Sequence, residues 1–226
     1  MKLFKSGIIG FIILNYIALG CAKVPGQFSD TLSQSLSKFD QELFARATLH
    51  QQKGQIDSAI VLWNKFLQRN PNSFEVRNNL GLLYYANDEI LKAIYHYDQG
   101  LKLRPREDQL KMNLVRALKV QATILEENRE YDEAIVGLSR IVQLSPAKEQ
   151  EAIERQIEAL EDQIFKQVKK SDSMGEYQGF LKKYPRSPGN SDEASLWIEN
   201  KLKAKKMGSQ GSLSSDFQPS IGTESR

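Results

Sequence analysis

FEVRNNLGLLYYANDEILKAIYHYDQGLKLRP, residues 74–105, reads as two helices joined by a tight turn. Phe74 to Tyr84 forms the first. Asp88-Glu89-Ile90-Leu91-Lys92-Ala93-Ile94 leads into the second, through Tyr97 and Gly100. Pro105 ends it, because proline has no amide donor to continue the ladder. Ala93 is small enough to let the second helix approach the first closely. Tyr97, four residues on, fills the groove between them.

The same string recurs on both sides. Gly54-Gln55-Ile56-Asp57-Ser58-Ala59-Ile60 leads to Trp63, Phe66 and Asn70-Pro71. Arg129-Glu130-Tyr131-Asp132-Glu133-Ala134-Ile135 leads to Leu138, Ile141 and Ser145-Pro146. Ala59 and Ala93 lie 34 residues apart, as do Pro71 and Pro105, whereas Pro105 and Pro146 lie 41 apart. Asn113-Leu114 still aligns with Asn79-Leu80, so the seven extra residues fall at the end of the third unit's first helix, around 119–127. Seven residues are about two helical turns and nearly preserve the face.

Leu80, Gly81 and Tyr84 stand where the tetratricopeptide repeat carries its Leu-Gly-x-x-Tyr signature, and the chain resembles that family of 34-residue helix-turn-helix units. The resemblance implies an all-α helical-repeat superhelix. Its repeats run over about 40–73, 74–107 and 108–148, with a degenerate fourth over 154–187. Ile153, Ile157, Leu160, Ile164 and Val168 form an apolar stripe leading into the fourth. Its second helix is Gly175 to Tyr184-Pro185, where Phe180-Leu181-x-x-Tyr184-Pro185-x-Ser187-Pro188 is similar to helical-repeat lipoproteins of the bacterial outer membrane. A helix from Ser191-Asp192-Glu193 through Leu196, Trp197, Ile198 and Leu202 caps the open end, which a stack of this kind needs. The helical domain is expected over 29–204, opening with a long helix. Ser29 or Asp30 caps that helix, Leu32, Leu36, Phe39, Leu43, Ala47 and His50 share one face, and Gly54 ends it. From about Lys205 to Arg226 the chain is polar and Gly/Ser-rich, the composition of a disordered tail.

Residues 1–20 read as an export signal. Lys2 and Lys5 precede a 14-residue run, Gly7 to Gly20, apolar except for Asn15 and short for a bilayer span of about 20 residues. It stops at Ala18-Leu19-Gly20-Cys21, which resembles a bacterial lipobox. The resemblance implies that the only cysteine, Cys21, is acylated with palmitate-type chains and becomes the first mature residue, followed by a tether to Phe28. Ala22, rather than Asp, follows it, which implies the outer membrane in enteric-type sorting. An uncleaved anchor with cytoplasmic repeats is the other reading of this segment.

The chain has 226 residues, 40% hydrophobic and 26% charged, with 31 basic and 28 acidic residues for a net charge of +3. That small excess leaves no electrostatic footprint for nucleic acid. One cysteine and two histidines exclude a disulfide framework or a cysteine-rich zinc site. No phosphate loop, nucleophile elbow or metal-ligand spacing is present. No catalytic residue, cofactor, metal or small-molecule substrate is expected.

In the tetratricopeptide family the first helix of each unit lines a concave face. The resemblance places Gln41, Phe44, Ala45, Thr48 and Gln51 there in the first unit. It places Glu75, Asn78, Asn79, Leu82 and Tyr85 in the second, and Gln109, Met112, Asn113, Arg116 and Lys119 in the third. Asn78, Asn79, Leu82, Tyr85, Asn113, Arg116 and Lys119 are therefore the candidate partner-binding residues. The asparagine amides can pair with an extended peptide backbone, and Arg116 with Lys119 can hold a carboxylate. Alternatively, the asparagines bond within the scaffold. Some relatives clamp a C-terminal carboxylate with Lys and Asn in the first unit, Asn in the second, and Lys and Arg in the third. Here Phe44, Thr48, Gln109 and Asn113 stand at the outer clamp positions, and only Asn79 matches. Trp63, Tyr84, Tyr97 and His50 are read as core, His96 as solvated, and Tyr85 and Tyr95 as exposed anchors. The stripe of the fourth unit is either a solvated helix's inner face or a coiled-coil contact. The expected role is a lipid-anchored periplasmic scaffold that holds another envelope protein or peptide. The alternative is a docking or regulatory subunit of a cell-wall enzyme.

Overall fold

The computed structural model describes the backbone of residues 36–211 and side chains as far as Met207. The export signal, Cys21, the tether and residues 212–226 lie outside the described residues. Within them all regular structure is helical: α1 Lys38–Gln52, α2 Ile56–Arg69, α3 Phe74–Ala86, α4 Ile90–Leu103, α5 Asp108–Glu127, α6 Tyr131–Leu144, α7 Ala147–Ser171, α8 Met174–Lys183 and α9 Asn190–Gly211. Each helix packs on the next in the chain, and α3 also meets α5. That second contact sets the first helices of the second and third units side by side, as in a tetratricopeptide-type superhelix.

The repeat is visible in the backbone. Gly54, Asp88 and Arg129 take positive φ angles of 68°, 59° and 63° at the same point of three successive units, just after the first helix. Each time the following amide closes back onto the helix, from Gln55 to His50, Glu89 to Tyr84 and Glu130 to Leu125, at 2.9, 2.9 and 2.8 Å. This is the left-handed helix stop that most often uses glycine. Only the first unit uses it. Asp88 and Arg129 adopt the same turn without glycine's freedom.

Small-on-large packing builds the core. Ala59, Ala93 and Ala134 are fully buried. Trp63 meets Phe44 edge-on at 4.7 Å and Phe66 at 6.2 Å, and its Nε1 donates to Gln51 Oε1 at 3.0 Å. One buried cluster ties α1, α2 and α3, and a second runs from Ala93 to Ala194 through Tyr97, Leu114, Leu138, Phe165 and Phe180. The far end is closed by Trp197 stacked on Tyr177 at 3.9 Å. Helix α5 has 20 residues against 13 in α3, so the seven-residue surplus lies in α5.

Several sequence expectations are corrected here. The first described helix begins at Lys38 and not at Ser29 or Asp30, because the Ser37 hydroxyl accepts from the Asp40 amide and caps it. Leu36 therefore precedes the helix, and residues 29–35 lie outside the described residues. Phe39 turns outward, 47% exposed, and lies under Arg69 and Lys65 at 4.9 and 5.5 Å. The fourth unit opens at Ala147, directly after Pro146, with a 25-residue helix, so its first helix starts well before 154. Its stripe is not a free coiled-coil seam, since Ile153, Leu160 and Val168 are buried in the protein's own core. The last helix runs on to Gly211, past the expected end of the domain at 204. No described helix is long and apolar enough to cross a membrane.

Candidate functional site

The first helices of the units, α1, α3 and α5, carry the candidate wall, and most of the polar residues expected there serve the scaffold. Phe44 is buried against Trp63 and Phe66, and Gln51 is occupied by the Trp63 indole. Asn78 and Asn113 are 6% and 2% exposed. Asn113 Nδ2 donates to Asn78 Oδ1 at 2.8 Å across the seam between α3 and α5, and Gln109 Nε2 donates to Asn113 Oδ1 at 3.2 Å. Asn79 is 2% exposed, and its Oδ1 is buried without a hydrogen-bond partner. The three asparagines are therefore not presented to a peptide, which corrects that part of the candidate set.

The register explains both outcomes. Asn113 pairs with the residue one place before the equivalent of its own position in the preceding unit, namely Asn78. For Asn79, Phe44 stands where Asn78 accepts from Asn113, and Glu75 stands where Gln109 donates to the Asn113 carbonyl oxygen; an ionised carboxylate cannot donate, so Asn79 Oδ1 is left unmatched. The sequence reading aligned Asn79 with Asn113 and overlooked the 35-residue offset of the actual pair.

An amide pair buried this way is costly to break from one side. Asn113→Ala leaves Asn78 Oδ1 buried and unpaired, which costs about 1–3 kcal/mol. Asn78→Ala has a similar effect. The double variant is expected to cost clearly less than the two single losses added, a difference measurable by urea unfolding of all four chains. Additive losses would show that the two amides are not coupled.

What remains open on the wall is a strip of α3 and α5. Leu82 and Tyr85 are half-buried, Met112 is 57% exposed, and Arg116 and Lys119 are exposed. Met112, Arg116 and Lys119 fall at steps of four and three, on one face of α5. Among the described residues neither Arg116 nor Lys119 forms a side-chain ion pair. The Arg116 charge is nonetheless felt by two phenols. Burial pushes the Tyr85 hydroxyl pKa up, Arg116 opposes it and Asp88 adds to it. Tyr97 is raised further by burial, again against Arg116. The strip thus offers two cations, a phenol and apolar surface. These are binding groups.

His96, read from the sequence as solvated, is 7% exposed. It stacks on Tyr84 at 5.2 Å and meets the edge of Tyr95 at 5.2 Å. Burial, and secondarily the Arg77 charge, push its pKa down to about 4. The unfolded chain takes up this proton near pH 6.5, while the folded chain resists it until about pH 4. The unfolded state thus binds more protons in that window, so stability falls as the pH drops, by up to about 1.4 kcal/mol per pH unit. His96→Phe, which keeps a ring in the stack, is expected to remove that component of the slope between pH 6.5 and 4. Parallel pH profiles of unfolding for the two chains check it, and identical profiles would contradict it.

Among the described residues no group of three or more His, Cys, Asp or Glu side chains is arranged to hold a metal ion. The tetratricopeptide repeat family model matches residues 43–73. No curated protein sequence matches the chain. Among solved structures, a crystal structure of MamA protein is 17% identical, covering 82% of this chain and 100% of that one at a TM-score of 0.40. A second crystal structure of MamA is 19% identical, covering 73% and 96%, at 0.36. The human IFIT1 dimer with PPP-AAAA is 15% identical, covering 87% of this chain and 54% of that one, at 0.34.

Proposed function

We propose that the chain is a membrane-anchored scaffold of the bacterial envelope that holds a partner protein against the strip formed by Leu82, Tyr85, Met112, Arg116 and Lys119. The observation that carries this is the contrast along the inner wall. Its asparagines and Gln51 are spent on packing, whereas Arg116 and Lys119 stand exposed and form no side-chain ion pair among the described residues. Exposed unpaired cations beside a desolvated phenol and an exposed methionine give specificity and area to an interface. The repeat architecture supports the same reading, since a stack of helix pairs offers an extended concave surface.

The anchor and address rest on the sequence. The lipobox-like Ala18-Leu19-Gly20-Cys21 supports acylation of Cys21 and attachment to the outer membrane facing the periplasm. Several acyl chains hold firmly, at about 0.8 kcal/mol for each buried CH₂. The repeats then reach the partner from the membrane surface.

Cross-linked capture from intact envelopes tests the scaffold reading. The natural chain is compared with one carrying Arg116→Glu and Lys119→Glu, both confirmed equally helical. Loss of a specific captured protein from the variant is expected, and equal capture would move the binding surface elsewhere. Mass analysis of the mature N-terminal peptide tests the anchor. A diacylated residue 21 is expected, and an intact Met1 terminus would refute it.

A further inference from the structure

The second and third units meet the unit before them through the same three places on their first helices. In α3 these are Val76, Leu80 and Leu83, which share a buried cluster with Trp63 and Leu67 of the preceding α2. In α5, 34 residues on, they are Leu110, Leu114 and Ala117, which share a buried cluster with Ala93 and Tyr97 of the preceding α4. In α1 the same three places hold Glu42, Arg46 and Leu49. No described helix precedes α1, and all three side chains are exposed, Leu49 at 47%.

A polar outer face is what the terminal unit of such a stack requires. Solubility alone does not account for the arrangement found here. Phe39 lies on the same face of α1, just before Glu42, and is also 47% exposed beneath Arg69 and Lys65. Steps of three, four and three hold Phe39, Glu42, Arg46 and Leu49 in one stripe along the helix. The stripe is apolar at both ends and charged in the middle, acid first and base second. Glu42 and Arg46 stand four apart in the order that favours an ion pair within a helix. Among the described residues, however, neither forms a side-chain hydrogen bond or ion pair. Both charges are therefore available to something outside the unit.

Read backwards, the stripe complements itself. The geometry points to a second copy of this chain as the occupant: α1 pairs antiparallel with α1 of the partner about a two-fold axis. Glu42 then faces the partner's Arg46, Arg46 faces the partner's Glu42, and Phe39 packs on the partner's Leu49 at either end. The partner helix takes the place that α2 and α4 take against α3 and α5, at about 8–10 Å between axes. The contact is isologous, so it closes at a dimer. It uses none of Leu82, Tyr85, Met112, Arg116 and Lys119, and so stands apart from the partner-binding reading. The stripe is only about 15 Å long, and exposed ion pairs are individually weak and screened by salt, so the dimer is modest and salt-sensitive.

Sedimentation equilibrium of the full chain in a density-matched non-ionic detergent tests this. The variants are Glu42→Arg, Arg46→Glu and the two together, each checked for unchanged helix content. The natural chain is expected to dimerise at low salt and to dissociate as salt is raised. Either single variant sets like charges opposite one another twice, and is expected to dimerise at least about tenfold more weakly. The double variant restores the match and dimerises as the natural chain does. An equimolar mixture of the two single variants forms a one-to-one dimer, since the arginines of one copy face the glutamates of the other. A monomeric natural chain, single variants that dimerise as it does, or a double variant or mixture that stays monomeric would each overturn the proposal. If the natural chain is monomeric, shielding of Phe39 and Leu49 from hydroxyl-radical labelling would assign the stripe to the chain's own residues before Leu36.

Discussion

Trp63→Ala lowers the stability of the fold by about 3–5 kcal/mol, the range for truncating a fully buried large aromatic. The indole is completely buried, packed edge-on against Phe44 and Phe66, and its N–H is satisfied by Gln51. Alanine leaves a cavity between α1 and α2 and strands the Gln51 carbonyl oxygen. Trp63→Phe is milder, since it keeps most of the volume and loses chiefly the hydrogen bond. A stack in which each unit touches only its neighbours does not share such a loss evenly. Amide exchange in the Trp63→Ala chain should therefore accelerate most in α1, α2 and α3, with α7 and α8 less affected. A loss below about 1 kcal/mol, or one spread evenly over the helices, would show that Trp63 does not hold the first unit together.

Gly81→Ala is expected to destabilise although alanine is the better helix former. A methyl on Gly81 would sit 2.6 Å from Tyr97 Cδ1 and 2.7 Å from Cζ, too close for any real contact. The Tyr97 ring is 1% exposed and hemmed in by the core, so relief requires the helices to separate. Helix propensity favours alanine by about 1 kcal/mol. Overpacking of a tight site costs about 1–3 kcal/mol and often more when a rigid ring is the obstacle. The clash therefore wins, and Gly81→Val is worse. The diagnostic is the background. In a Tyr97→Ala chain the same Gly81→Ala change loses its obstacle and should become neutral or stabilising. Urea unfolding of the four chains gives the coupling, and the same penalty in both backgrounds would refute the contact.

These two residues show how much the sequence discloses. The spacing of Ala59 and Ala93, of Trp63 and Tyr97, and of Pro71 and Pro105 reports contacts made inside one unit, where the helix period alone decides which side chains meet. Trp63, Tyr97 and the seven-residue lengthening of α5 were legible for that reason. Contacts between units depend on how far each unit is rotated against the next, which a repeat alignment leaves out. Asn113 therefore pairs with Asn78, not Asn79. His96 is an exception inside a unit: next to Tyr97 and so expected outside, it is covered by Tyr84 and Tyr95, which the helix period of α4 alone does not reveal. Phe39 and the end of α9 were misplaced for a different reason. An apolar stripe shows which face can be buried, and a cap or the edge of the stack decides whether anything covers it. Of the candidate wall, Leu82, Tyr85, Arg116 and Lys119 remain partly or fully open to a partner, while Asn78, Asn79 and Asn113 belong to the scaffold.

Site-specific photocross-linking in intact cells tests the scaffold reading most directly. A photoreactive residue at Tyr85, on the inner wall, is compared with one at Val61, which is 66% exposed on α2 and lies outside the strip. The account predicts a discrete cross-linked partner from position 85, abolished by Arg116→Glu with Lys119→Glu, and none from position 61. The same product from both positions, or from position 61 alone, would contradict it.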